Sequence, residues 1–190
     1  VVVEGAFAVD SAVQLQGKKS MMREIEPWME TPTSTEPIVL SSKALRGMKR
    51  ILSGYLSLKD ALVEDDLERA KRETLVLKGR VEKVESSDFE PSAQQDWLAW
   101  QQQWVAILDR MESASDVETL RSEFVQLSNQ WVYWLRRVGT FEQTLYLEYC
   151  PMADNNQGAI WVSTSNEIAN PYFGASMLRC GEVQETLSPD

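Results

Sequence analysis

Apolar residues recur every three or four positions along residues 42–139, a spacing that places them on one side of an α-helix. The pattern divides into four segments, each with one apolar stripe. The first two stripes are Ala44, Met48, Ile51, Tyr55, Leu58 and Leu62, then Leu67, Ala70, Thr74, Leu77, Val81 and Val84. The other two are Trp97, Trp100, Trp104, Ile107 and Met111, then Val117, Leu120, Phe124, Leu127, Trp131, Trp134 and Val138. The pattern therefore predicts four amphipathic helices.

The starts of three of these helices carry capping boxes, in which two side chains three residues apart satisfy the free amides of the first turn. The pairs are Asp65 with Glu68, Ser92 with Gln95, and Ser115 with Glu118. Short connections between long amphipathic helices favour antiparallel neighbours. The predicted fold class is mainly α, an antiparallel up-and-down four-helix bundle with a Trp-rich core.

The pattern changes after residue 139 to β-branched, aromatic and turn-forming residues. Apolar and polar residues alternate over 144–149, and residues 159–163 form a second short apolar run, so both predict strands. The intervening DNNQG, residues 154–158, has the composition of a turn. We therefore expect a small C-terminal β-hairpin element packed on the bundle.

The N-terminal part has a different composition from the helical zone. Residues 1–22 begin with a strand-like apolar run, and residues 23–41 hold Pro27, Pro32 and Pro37 among Thr, Ser and Glu. Such a segment is typical of an extended linker. Three parts are predicted: residues 1–22, a Pro-rich linker over 23–41, and a helical domain with its C-terminal segment over 42–190.

Charge and composition exclude several classes of function. A net charge of −10 disfavours nucleic acid, because phosphate backbones require clusters of Lys and Arg. No apolar run is long enough to span a bilayer. The chain has no histidine, so it cannot build a Ser/His/Asp or Cys/His nucleophile system, and it has no Gly-rich phosphate loop. We therefore expect that the protein is not an enzyme.

The two cysteines of the chain each stand close to a methionine. Met152 follows Cys150 by two residues, and Met177 precedes Cys180 by three. Residues i and i+2 share a face of an extended chain, and residues i and i+3 are neighbours on a helical turn. Thiolate and thioether sulfurs are soft ligands that suit Cu(I) better than hard cations or zinc. The spacing therefore predicts one site formed by Cys150, Met152, Met177 and Cys180.

A second interpretation of the same residues is structural. A Cys150–Cys180 disulfide would attach the β element to the bundle in an exported protein, and both methionines could fill gaps in the core. The spacing leaves the metal site and the disulfide open as alternatives.

Two stretches of the sequence resemble known families. Residues 149–181 include the text YCPMADNNQGAIWVS and NEIANPYFGASMLRCG. This text resembles the signature of a small domain of bacterial envelope proteins, the domain of unknown function DUF3347. GYLSLKDALVEDDLERAK is similar to the opening of that domain, and together they cover about residues 42–185. Separately, VVVEGAFAVDSAVQLQG, residues 1–17, resembles the end of the membrane-proximal domain of periplasmic adaptor subunits, or membrane fusion proteins. These adaptors belong to heavy-metal efflux pumps of the resistance-nodulation-division type.

The resemblance implies a location in the periplasm of a Gram-negative bacterium and a part in transmembrane transport of copper or silver. Carried over by residue, the family motif falls on Cys150, Met152, Met177 and Cys180, with no histidine beside them. It implies an accessory domain that binds one Cu(I) or Ag(I) per chain and passes the ion toward the pump. The alternative is a docking module with a Cys150–Cys180 disulfide, whose Trp-rich bundle binds adaptor or pump subunits.

Overall fold

The computed structural model describes residues 37–189. Four long helices come first: α1 Ser42–Val63, α2 Leu67–Glu82, α3 Pro91–Glu112 and α4 Val117–Val138. Three strands follow: β1 Leu145–Cys150, β2 Ala159–Ser163 and β3 Glu182–Leu187. The described chain is mainly helical with a small sheet. The predicted segment 1–22 and most of the predicted linker, residues 23–36, lie outside the described residues.

The four helices pack in sequence order, α1 on α2, α2 on α3 and α3 on α4. An Arg80 guanidinium near the end of α2 donates to the backbone oxygen of Arg50 in the first half of α1 at 2.9 Å, so these two helices run antiparallel. The fourth helix returns to the first, because Tyr55 Oη lies 2.7 Å from Ser128 Oγ. These contacts fit the predicted four-helix bundle.

The predicted stripes supply the core. Every residue of the first stripe is buried, as are four tryptophans of α3 and α4: Trp97, Trp104, Trp131 and Trp134. Their rings interlock, with the ring centroids of Trp104 and Trp131 4.9 Å apart. Burial of large aromatic side chains is a major source of stability in a domain of this size. Trp100, which the pattern assigns to the core, is only partly buried at the bundle surface.

The predicted capping boxes do not coincide with the observed starts of the helices. Asp66 caps α2 and Asp116 caps α4, each accepting from the backbone N–H three residues later at 2.8 Å. The sequence pattern places these caps one residue too early, at Asp65 and Ser115. The third helix begins before its predicted cap, Ser92, because the proline in front of it already has the backbone angle of a first helical residue.

The predicted β-hairpin is wrong, because the element is a three-stranded antiparallel sheet in the order β2-β1-β3. In its central strand, Cys150 pairs with Ala159 of β2 and Tyr149 pairs with Glu182 of β3. The third strand, EVQETL, is polar and largely exposed, so it lacks the apolar alternation that marks a strand in sequence. Because β3 pairs with β1, the chain that follows Cys180 lies beside the end of β1 that holds Cys150.

Strand β2 anchors the sheet to the helices. All five of its residues are buried, and it packs on α4. The backbone N–H of Val162 donates to Tyr55 Oη of α1 at 3.1 Å. The Tyr172 hydroxyl donates to the backbone oxygen of Ile160 at 2.6 Å, so the segment after β2 also closes onto the strand.

The described end of the predicted linker also touches the helices. Ile38 is buried, and its N–H donates to the backbone oxygen of Arg137 at 2.8 Å. Leu40 forms an isolated antiparallel bridge with Phe89. Over residues 37–189, none of the helices combines the length and the apolar character that crossing a bilayer requires.

Candidate metal centre

The two predicted cysteines meet at one end of the sheet. Cys150 is the last residue of β1, and Cys180 stands two residues before β3, the neighbouring strand. Their Sγ atoms lie 2.9 Å apart, and both residues are free cysteines. The Cys150 side chain is buried, whereas Cys180 is partly exposed. The site is therefore a thiol pair with one member accessible from solvent.

The backbone before β3 is fixed by a polar side chain. Asn170 Nδ2 donates to the backbone oxygen of Cys180 at 2.8 Å, and the Asn170 N–H donates to the backbone oxygen of Leu178 at 2.9 Å. The Cys180 N–H in turn donates to the backbone oxygen of Met177 at 3.0 Å. Residues 177–180 therefore form a hydrogen-bonded turn, and the Cys180 sulfur lies next to that of Cys150 at the end of β1.

The two predicted methionines stand beside the thiol pair in the sequence but differ in exposure. Met152 lies in the turn after β1, with 48% of its surface exposed. Met177 ends the helical turn Gly174–Ser176 and is partly buried. The structure thus brings two of the four predicted sulfurs into contact. Met152 is the more exposed of the two methionines.

The contact between the thiols changes the acidity of Cys180. Hydrogen bonding to Cys150, together with partial burial and the Cys150 charge, raises the pKa of Cys180 to about 11. A thiol with this pKa keeps its proton at neutral pH. Because a metal binds the thiolate, an ion that bound here would displace that proton, and its affinity would rise with pH.

The donor set suits a soft ion better than a hard one. Within residues 37–189 there is no group of three or more His, Cys, Asp or Glu side chains placed to hold a metal ion. Any ion at Cys150 and Cys180 would therefore depend on thiolates, with thioethers or water completing its shell. A metal bound by both thiolates would hold the sulfurs farther apart than their present 2.9 Å; for zinc, two bonds of about 2.3 Å at a tetrahedral angle put them about 3.8 Å apart. The present pair would have to open by about 1 Å.

One functional group at this end of the molecule was not singled out by sequence. Glu148 lies two residues before Cys150 and is 1% exposed, and its Oε1 has no hydrogen-bond partner in the described part of the chain. Burial raises its pKa to about 7, while the Lys59 charge opposes that rise. A break in strand register between Leu147 and Glu148 lets both side chains be buried, and an alternating pattern carries no signal for such a break.

Comparison with known proteins finds one family model that matches most of the helical part of the chain. A family model described as "Protein of unknown function (DUF3347)" matches residues 51–143. The matched region runs from α1 to the connection after α4 and ends before Cys150. The segment with the two cysteines and their neighbouring methionines, residues 149–181, lies outside it and is called the sulfur-bearing segment. No curated protein matches the chain. No solved structure matches it.

Proposed function

Starting from a chain that contains a DUF3347 domain at residues 51–143, we propose that the protein is a periplasmic accessory domain of a heavy-metal efflux adaptor. It binds one Cu(I) or Ag(I) and passes the ion toward the pump, and it catalyses no reaction. The observation that carries this proposal is the 2.9 Å separation of the Cys150 and Cys180 sulfurs. Paired thiolates favour soft monovalent ions.

The exposure of the sulfurs suggests the order of binding. Met152 is the most exposed sulfur ligand, Cys180 is partly exposed, and Cys150 is buried. An incoming ion would meet the thioether and the accessible thiol first and the buried thiol last. Each thiol that binds releases its proton. Because a thioether is a neutral ligand, its exchange leaves the charge of the site unchanged, which suits transfer to another protein.

The rest of the proposal depends on the sequence resemblance. Residues 1–17 resemble an adaptor's membrane-proximal domain, which supports the periplasmic location and the pump and adaptor subunits as partners. In this proposal the up-and-down antiparallel bundle is the rigid support of the thiol pair. Sheet contacts to α1 and α4 hold the pair at one end of that support.

An anaerobic Cu(I) titration of the reduced chain against a chromophoric chelator tests the proposal. We expect one ion per chain, with tight binding abolished in Cys150→Ser and in Cys180→Ser. Met152→Leu and Met177→Leu keep the side-chain volume and remove the sulfur, so each should weaken binding without unfolding the domain.

The matched control is Met29→Leu, which removes a thioether outside the sulfur-bearing segment and should leave the affinity unchanged. X-ray absorption at the copper edge should show sulfur neighbours. A shell of nitrogen and oxygen, or unchanged affinity in both cysteine variants, would overturn the metal proposal.

The same contact favours a second candidate, a docking module closed by a Cys150–Cys180 disulfide. Bonded sulfurs stand about 2.05 Å apart, so the pair needs to close by only about 0.9 Å. Counting thiols in protein purified from the periplasm without reductant separates the candidates. Two reactive thiols per chain support metal binding, and none supports the docking module.

A further inference from the structure

A cleft of about 540 Å³ opens between α3, α4 and the connection from β1 to β2. Its volume lies in the range of small-molecule sites, about 300–1,000 Å³. Helix α3 contributes Trp100 and Gln103, helix α4 contributes Tyr133 and several amides, and the β1–β2 connection contributes Asp154. The cleft is a composite of two consecutive helices and a later loop, and it does not include the thiol pair.

One wall of the cleft is aromatic and rigid. The rings of Trp100 and Tyr133 stack with centroids 5.2 Å apart and planes 25° from parallel. Trp100 is also packed against Trp134, with centroids 5.3 Å apart. Both wall residues are partly exposed, whereas Trp134 is buried. Partly exposed aromatic rings held in a fixed orientation form an apolar surface on which a flat ligand can stack.

The other walls are rich in neutral amides, and some of these lack partners. Gln103, Gln126, Asn129 and Gln130 all line the cleft. The buried oxygens Asn129 Oδ1 and Gln130 Oε1 have no hydrogen-bond partner among residues 37–189. A buried acceptor without a donor is costly, so a rotation that turns either amide toward the cleft would be stabilised by a ligand that brings donors. A hydroxyl suits any amide, because it both donates and accepts.

The charge of the cleft excludes anionic ligands. Among its lining residues, Asp154 is the one ionisable carboxylate, and none is Lys or Arg. A phosphate or carboxylate ligand would meet a like charge without a compensating cation. A carboxylate can, however, accept a hydrogen bond from a ligand hydroxyl.

We propose that this cleft binds a neutral saccharide. The apolar face of a sugar ring packs on the wall formed by Trp100 and Tyr133. The sugar hydroxyls donate to Asp154 and, once these amides turn toward the cleft, to Asn129 and Gln130, and they also accept from the amide groups. This activity is separate from metal binding, because the thiol pair contributes nothing to the cleft.

Isothermal titration of the full chain with chitotetraose, cellotetraose and maltotetraose tests this proposal. We expect at least one of the three to bind with a dissociation constant below about 1 mM, well within the range of weak specific binding. Tyr133→Ala should weaken that binding at least tenfold, and Gln103→Ala should weaken it severalfold. Cys150→Ser should leave it unchanged, which separates this result from the outcome of the metal titration.

The matched control is Gln102→Ala, since Gln102 is an exposed glutamine beside Gln103 that does not line the cleft. If Tyr133→Ala fails to fold by circular dichroism, the comparison of the exposed positions Gln103 and Gln102 decides the question. Absence of binding to all three oligosaccharides, or equal effects of the two glutamine substitutions, would overturn the proposal.

Discussion

Arg121 of α4 donates from Nε to the backbone oxygen of Pro171 at 2.9 Å, which joins the helical domain to the segment leading to Cys180. The same guanidinium donates to the backbone oxygen of Leu62 at 3.1 Å and pairs with Asp65. Asp65 also accepts from the Ala175 N–H at 3.0 Å. The position of the sulfur-bearing segment is therefore set from α4 and from the connection between α1 and α2.

Arg121→Ala should be strongly destabilising, because it removes the donor to the buried backbone oxygen of Pro171, a further donor to that of Leu62, and the cation paired with Asp65. The expected loss in the free energy of unfolding is on the order of 2–4 kcal/mol, measured by urea denaturation. Arg110→Ala is the matched control, since that arginine forms a pair with Glu123 while 52% exposed, and it should cost less than about 1 kcal/mol. Equal losses in the two variants would contradict the role given to Arg121.

Glu148 should make the domain more stable in mild acid than in mild base. Its pKa in the folded state is about 7, above its ordinary value of 4.5, so the folded state binds more protons between these values. The contribution of Glu148 to stability is complete below pH 4.5 and is lost as the pH rises through 7. Urea denaturation at pH 5 and pH 8 should show this loss in the unaltered chain, and Glu148→Gln should reduce it.

Glu167→Gln is the control for that measurement, because Glu167 has a side chain 78% exposed and its substitution should preserve the pH dependence. A Glu148→Gln variant with an unchanged difference between pH 5 and pH 8 would show that another group causes it.

The tryptophan core should be sensitive to truncation. Trp104→Ala and Trp131→Ala each remove a fully buried ring, so each should cost on the order of 3–5 kcal/mol in urea denaturation. Leu98→Ala on the exposed side of α3 is the control and should change stability little. Near-neutral effects at both tryptophans would refute the packing of the bundle core.

The core was predictable from sequence because a helical period reports directly which side of a helix is apolar. It does not report where a stripe reaches the surface, so the pattern assigns Trp100 to the core although this residue forms part of the wall of a cleft. The pattern does not report which distant residues lie opposite a helix in the folded chain. Here the opposite wall of the cleft includes Asp154, which follows Trp100 by more than fifty residues.

The thiol pair was predictable only as one of two alternatives. Spacing indicated that Cys150 and Cys180 act together, but their contact depends on β3, a polar strand without apolar alternation. Glu148 was missed for a related reason, since the break in register that accompanies its burial leaves no trace in the sequence pattern. Propensity and period describe single elements, whereas both features arise from the pairing of elements.

Oxidation of the thiol pair should stabilise the domain. The cysteines are 30 residues apart, and closing a loop of that length gives roughly 3–4 kcal/mol in the chain-entropy model. The oxidised chain should therefore unfold at higher urea concentration than the reduced chain. Adding Cu(I) to the reduced chain should recover stability by mass action. If oxidation lowers the midpoint, the backbone around Cys180 does not accommodate the bond.

Gly181 should control how closely the two thiols approach. Its φ of +131° is rarely adopted by other residues, and a Cβ there would lie 2.9 Å from the backbone oxygen of Tyr149, next to Cys150. Gly181→Ala should therefore move Cys180 away from β1 and slow oxidation of the pair, which requires the sulfurs to come closer. Gly79→Ala is the matched control, because a Cβ at that helical position meets no atom within 4 Å and alanine favours the helix.

The measurement for this pair of variants is the rate of disulfide formation with a mild oxidant. This rate depends on the sulfur separation, whereas general destabilisation would appear in urea denaturation as well. A Gly181→Ala chain that oxidises like the Gly79→Ala chain would mean that the thiols approach each other without help from this glycine.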